Sequence, residues 1–194
     1  MGRVMEVINA APNRATIAAL DIVPTEIVLE IGFGPGRAVE ALAAMTPKGK
    51  IFGVDLSEEM LAGATRRNSW PIREGRVQLM KGRVDNLRLE PESIDKILAV
   101  NVAYFFEGDQ ELVVARHILK PGGRMAIYVT DKSSMSRWKF ASPATHRLFR
   151  RDELAAMIGH AGFGDDEVSI REVDVAPGVK GLVATAIKRP LSIA

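Results

Sequence analysis

The sequence predicts a doubly wound α/β domain whose sheet is mostly parallel and ends in an antiparallel hairpin. Short β-branched runs alternate with segments whose apolar residues recur at helical spacing. A glycine-rich turn, Gly32-Phe33-Gly34-Pro35-Gly36, follows the first such run. Two further runs flank Pro177-Gly178 with no helix between them.

Each element follows from its own pattern. Ile27–Ile31 is apolar apart from Glu30 and ends in glycine, which predicts a buried strand. Ala38, Val39, Leu42 and Met45 then mark one face of a helix. Residues 51–55 form the second strand, and Ser57 caps a helix whose first turn carries Glu58 and Glu59. Residues 77–80 and 94–102 give the third and fourth strands. Leu112, Ala115 and Leu119 share a helix face that Pro121-Gly122-Gly123 is expected to stop. The fifth strand, Met125–Val129, is apolar almost throughout, as expected where helices cover both sheet faces. Leu154, Met157, Ile158 and Ala161 define a last helix, and strands near 168–175 and 182–188 complete the chain. Residues 1–23 read as one or two helices broken at Pro12.

The 194 residues, with no repeat or linker, read as a single domain, 1–194. The absence of cysteine excludes disulfides and thiolate metal sites, and three separated histidines argue against a histidine metal centre. No apolar run approaches the roughly 18–20 residues that span a bilayer. Glu6, Asn9 and Arg14 interrupt any secretory signal. A cytoplasmic location is the expectation. A net charge of +2 makes nucleic acid an unfavoured partner.

The glycine turn stands where a parallel α/β sheet binds ligands, at a strand's carboxyl end. Gly32 and Gly34 match the start of a dinucleotide fingerprint, but Arg37 occupies the place of its last small residue. The Lys-Ser/Thr pair of a phosphate-binding loop is missing as well. Asp55 ends the second strand, where a carboxylate can accept hydrogen bonds from both hydroxyls of a ribose.

Three motifs in order carry a resemblance. Val28-Leu29-Glu30-Ile31-Gly32-Phe33-Gly34-Pro35-Gly36, Gly53-Val54-Asp55-Leu56-Ser57-Glu58-Glu59-Met60-Leu61 and Leu119-Lys120-Pro121-Gly122-Gly123-Arg124 together resemble the class I S-adenosylmethionine-dependent methyltransferases. The nearest likeness is to the domain of ubiquinone/menaquinone-biosynthesis-type enzymes. The resemblance implies a Rossmann-like, seven-stranded sheet with its last strand antiparallel, and S-adenosylmethionine as cofactor. It implies that Glu30, Gly32, Phe33, Gly34, Gly36, Asp55, Leu56, Met60, Val84, Asp85 and Asn101 bind that cofactor. Relatives often place Asp or Asn at the position of Arg83, where it touches the adenine amine. Arginine accepts no hydrogen bond, so Asp85 or a backbone carbonyl is the expected substitute.

The cofactor carries the reactive methyl, so the protein mainly positions and desolvates. Asn101-Val102-Ala103-Tyr104 falls where the family faces the methyl group, but it lacks the prolines of DNA amino-methyltransferases. Tyr104 reads as pocket wall or core, His146 as a candidate base, and His117 and His160 as helix residues; no catalytic residue is assigned. The expected substrate is a small molecule, with RNA, protein, or binding without catalysis as alternatives. Lys132, Arg137, Lys139, Arg147, Arg150 and Arg151 alternate with Trp138, Phe140 and Phe149 and with no acid between 132 and 151. That stretch, 131–151, is expected to form either a lid for an anionic or aromatic substrate, with the 1–23 helical cap beside it, or a solvated loop that its aromatics tack to the domain.

Overall fold

The computed structural model describes residues 10–138 and 146–190. Helix α1 (Ala10–Leu20) leads into β1 (Ile27–Ile31), α2 (Arg37–Met45), β2 (Lys50–Asp55) and α3 (Glu58–Arg67). A short α4 (Ser69–Arg73) precedes β3 (Val77–Lys81), and β4 (Ile94–Val100) is followed by α5 (Gln110–Ile118). Then come β5 (Leu119–Thr130), a one-turn α6 (Lys132–Met135), α7 (Arg151–His160), β6 (Val168–Ala176) and β7 (Val179–Ile187).

The seven strands form one sheet in the order β3-β2-β1-β4-β5-β7-β6. Strands β1 to β5 run parallel, and β7 is antiparallel to both β5 and β6. The order reverses between β1 and β4, which leaves a crevice at their carboxyl ends. Alternation along β1 shows why the core is double. Val28 faces a cluster containing Leu20, Val39 and Leu42 from α1 and α2, while Leu29 faces Leu112 and Met157 from α5 and α7. Helices therefore cover both faces, and the strands stay apolar on both.

Three boundaries differ from the expected ones. α1 runs through Pro12, which sits in the first turn, where a missing backbone N–H costs nothing. β4 stops at Val100, because Asn101 turns left-handed (φ 54°). α5 ends at Ile118, and Leu119 already pairs with Ile94 as the first residue of β5. The Pro121-Gly122-Gly123 stretch is thus an irregularity inside a strand, held by Gly122 N–H on the Lys188 carbonyl at 2.6 Å. Met45 is 39 % exposed at the end of α2 rather than part of the core.

Described residues of the expected N-terminal cap lie in α1, over the face formed by β4, β5 and β7. Residues 1–9 and 139–145, the latter including Lys139 and Phe140, lie outside the described residues. No helix among the described residues is long and apolar enough to cross a membrane.

Candidate active site

The glycine turn after β1 places its residues in distinct environments. Gly36 (φ 80°) begins α2, and a Cβ there would stand 2.7 Å from both Ala64 Cβ and Asn68 Nδ2. Its bareness lets α3 pack against the turn. Gly34 (φ 51°) meets nothing within 4 Å, so the backbone at that point borders open space. Phe33 turns away, 3 % exposed, into the core beside Gly53.

Asp55, at the end of β2, closes over this turn. Its Oδ2 accepts from the Gly34 amide at 2.8 Å and its Oδ1 from the Ser57 amide at 2.9 Å. Ser57 caps α3 as expected, its Oγ accepting from Met60 N–H. Behind the turn, Glu30 is 3 % exposed and its Oε2 has no partner. Burial, and secondarily the nearby Asp55 carboxylate, push the Glu30 carboxyl well above the usual carboxylate range.

A cavity of about 450 Å³ opens between these elements at the β1/β4 crevice. Among the residues expected to bind a cofactor, Gly32, Gly34, Asp55, Leu56, Met60, Val84 and Asn101 line it. Glu30, Phe33, Gly36 and Asp85 do not. Glu30 and Gly36 stand behind the wall, and Asp85 is exposed on a 3-10 turn, Val84–Asn86. The cavity also takes Arg83, Val102, Phe105, Phe106 and Glu111, which the sequence reading did not assign. Arg83 Nη1 donates to Glu111 Oε1 at 2.6 Å, and its Nη2 donates to Glu107.

The crevice end of β4 is held by Tyr104. Its hydroxyl donates to Asn101 Oδ1 at 2.9 Å and accepts from the Thr130 amide. Burial drives this phenol upward in pKa, so it is a fixed strut rather than a base. His146 lies beside it, with ring centroids 5.0 Å from Phe105 and 6.1 Å from Tyr104. His117 is exposed on α5, and His160 Nδ1 sits 3.0 Å from Asp109 Oδ2. Among the described residues, no group of three or more His, Asp or Glu is arranged to hold a metal.

The 131–151 stretch leaves β5 and returns to it. Asp131 bridges Phe149, Lys132 N–H donates to the Phe149 carbonyl at 2.8 Å, and Phe149 is fully buried. Its described cations are engaged: Lys132 with Glu153, Arg137 with the Gly178 carbonyl, Arg147 with Asp109, Arg150 with Glu153, and Arg151 with the Ile170 carbonyl.

This lining suits an adenosyl group. Each Asp55 oxygen accepts one amide and retains acceptor capacity for a ribose hydroxyl. Gly34 leaves room for a ligand against the backbone, and Leu56, Met60, Val84 and the two phenylalanines give apolar walls for a base.

The comparisons agree. Residues 28–123 match the model of a methyltransferase domain family. The chain is 30 % identical over 174 residues to the uncharacterized methyltransferase YdaC of Bacillus subtilis, covering 89 % of this chain and 90 % of that protein. It is 29 % identical to a trans-aconitate 2-methyltransferase of Delftia acidovorans over 86 % of this chain and 57 % of that enzyme. A ubiquinone/menaquinone biosynthesis C-methyltransferase of Syntrophotalea carbinolica is 30 % identical over 58 % of this chain and 47 % of its own length. The chain thus spans about half the length of those two enzymes. Phosphoethanolamine N-methyltransferase 2 of Haemonchus contortus, solved with S-adenosyl-L-methionine, superposes with a TM-score of 0.77 at 18 % identity, over 95 % of this chain and 56 % of that one. That likeness speaks for the fold. The near full-length match to YdaC, together with the site's geometry, places the chain in the class I S-adenosylmethionine-dependent methyltransferase family, with S-adenosylmethionine as its cofactor.

Proposed function

We propose that this chain transfers the methyl group of S-adenosylmethionine to a small molecule seated at the crevice beside Asn101, Phe105 and His146. The observation that carries it is the Asp55 carboxylate, oriented by Gly34 and Ser57 over a cavity whose backbone rim is bare. When bound, the cofactor supplies an electrophilic methyl, and the chain's own task is to orient and exclude water. Asp55 holds the ribose, Gly34 admits the cofactor against the backbone, and Asn101 sits where the sheet delivers the substrate face. No base is assigned, which suits a nucleophile that carries its own electron pair at neutral pH.

Several features support a small substrate. The rim is aromatic, through Phe105 and His146, rather than basic. The described cations of the 131–151 stretch are paired within the protein, which leaves little for a phosphate backbone. Two relatives carry names that denote methylation of small molecules.

The test is a methyl-transfer assay with S-adenosylmethionine against small carboxylic acids, quinols and phenols, with tRNA and protein in parallel, and calorimetry with S-adenosylhomocysteine and NAD. Binding of S-adenosylhomocysteine and turnover confined to a small acceptor is expected. NAD binding without S-adenosylhomocysteine binding overturns the cofactor site, and turnover confined to tRNA or protein overturns the substrate class.

A further inference from the structure

The glycine turn is gripped from behind as well as from the cavity side. In front, Asp55 Oδ2 accepts from the Gly34 amide, and Gly32, Gly34 and Pro35 line the cavity. Behind, the residues that end α3 reach the carbonyls of the next two positions. Arg67 Nε donates to the Pro35 carbonyl at 3.0 Å, and Asn68 Nδ2 donates to the Gly36 carbonyl at 3.1 Å. Asn68 is 1 % exposed, and only a bare Gly36 leaves room for it: a Cβ there would stand 2.7 Å from Nδ2.

Closing the helix does not require this side chain. The backbone N–H of Asn68 already donates to the Ala64 carbonyl at 2.9 Å, and the Nδ2 bond to that same carbonyl duplicates it. The Gly36 carbonyl already accepts from the Glu40 amide at 3.1 Å, the first bond of α2. Asn68 Oδ1 is buried without a hydrogen-bond partner among the described residues, a cost that folded proteins rarely carry. What the amide adds is a tie across 32 positions of sequence, from the end of α3 to the turn. The turn has use for one. Gly32, Gly34 and Gly36 all hold positive φ, and glycine backbone loses the most freedom on being fixed.

We propose that Asn68 is a positioning residue for the cofactor, acting through the Pro35–Gly36 backbone with Arg67 beside it. The β2–α3 unit thus holds the turn at both ends: Asp55 fixes an amide, and the helix end fixes two carbonyls. The helix links the two grips, since the Ser57 amide at its start donates to Asp55 Oδ1. A turn already held in its bound shape loses little freedom when the ligand arrives, and affinity rises accordingly. The inference rests on the cofactor site proposed above.

The experiment joins calorimetry with S-adenosylhomocysteine to amide hydrogen exchange on the full chain, free and bound. Asn68→Ala removes the tie and the unpaired oxygen together and leaves both carbonyls a backbone donor, so the fold should survive. Affinity for S-adenosylhomocysteine should fall about 3- to 10-fold, the span of one neutral hydrogen bond. Amides of residues 32–36 should exchange faster in the free variant and slow again at saturating ligand, while the strands stay protected as in the wild type. Either change without the other overturns the role of Asn68 and leaves the cofactor site standing, as does a loss of protection spread evenly over the sheet. Should Asn68→Ala not fold, Arg67→Ala decides, since its side chain is 28 % exposed and it releases the same turn at Pro35. A several-fold loss of affinity with faster exchange in the turn then supports the proposal, and unchanged affinity or exchange overturns it. Failure of the wild type to bind S-adenosylhomocysteine overturns the cofactor site itself, and this inference with it.

Discussion

Asp55 Oδ2 accepts the Gly34 amide at 2.8 Å, joining the end of β2 to the turn after β1 across 21 positions of sequence. With Ser57 N–H on Oδ1, the carboxylate is fixed by backbone on both oxygens. It is therefore preorganised for a ligand, and the glycine turn is held open by the same group.

Asp55→Ala should weaken S-adenosylhomocysteine binding by about 1.5–3 kcal/mol, the usual cost of losing hydrogen bonds to a charged group. Asp55→Asn should lose less, because its one oxygen can still take the Gly34 amide. Calorimetry on both variants checks the order, and equal affinities would show that the ribose is held elsewhere.

The glycines of the turn should separate fold from binding. Gly36→Ala forces a Cβ to 2.7 Å from Ala64 and Asn68 at a positive φ, and should cost about 1–3 kcal/mol of stability. Gly34→Ala meets open space, so only the left-handed strain of about 1–2 kcal/mol remains, while the methyl intrudes on the cavity wall. Thermal melts should rank Gly36→Ala as the less stable variant per unit of lost affinity. The opposite ranking would mean the turn touches no ligand.

Much of this was legible in the sequence, and the reasons for the remainder are physical. The β1 turn and Asp55 are local: strand, glycine and carboxylate follow one another at short spacing. The start of β5 was not, because Leu119 continues the helical spacing of Leu112 and Ala115, and Pro121-Gly122-Gly123 is a strong stop signal. The partner that overrides both is Ile94, which pairs with Leu119 from a distant strand. The Arg83–Glu111 pair was hidden for the same reason, since its members stand 28 positions apart on different elements. Arg83 stands out in the sequence as a misfit; only the fold shows what neutralises it.

Glu30 makes stability fall as pH rises. Its carboxyl titrates near 4.5 when exposed and well above that when folded, so between those values the folded state holds more protons than the unfolded one. Below about pH 4 both states are protonated and the cost is absent. Glu30→Gln should then raise the melting temperature at pH 7 to 8 and flatten its decline with pH. A variant whose curve parallels the wild type's would show that Glu30 carries no such cost.

Tyr104→Phe removes a hydroxyl that serves both Asn101 and the buried Thr130 amide. Leaving that amide unpaired should cost about 1–3 kcal/mol of stability. Because the hydroxyl contact to Asn101 Oδ1 is lost at the crevice while Asp55 is untouched, kcat should fall and S-adenosylhomocysteine affinity should hold. An unchanged kcat in the folded variant would remove Asn101 from the substrate face.

The 131–151 stretch gives the last expected outcome. Its two limbs are pinned where Asp131 meets Phe149, and the returning limb runs past the cavity, with Arg147 N–H on the Tyr104 carbonyl at 3.1 Å. His146 touches the aromatic rim through Phe105. A segment anchored at its base and bordering the crevice can close over a substrate. If its cations draw in an anion, Arg137→Glu combined with Lys139→Glu should raise the substrate KM by about 2- to 10-fold, the sum of two exposed charge interactions. Cofactor affinity should stay nearly unchanged, since Arg137 does not line the cavity at Asp55. The effect should shrink as ionic strength rises, because exposed charges separated by more than about 10 Å are screened at 0.1 M salt. Arg137 also donates to the Gly178 carbonyl, so Arg137→Ala serves as the control for loss of that bond alone. A KM indifferent to charge reversal and salt, or a rise equal to that in Arg137→Ala, would show that the basic run ties down the β6–β7 turn and has no part in recognising substrate.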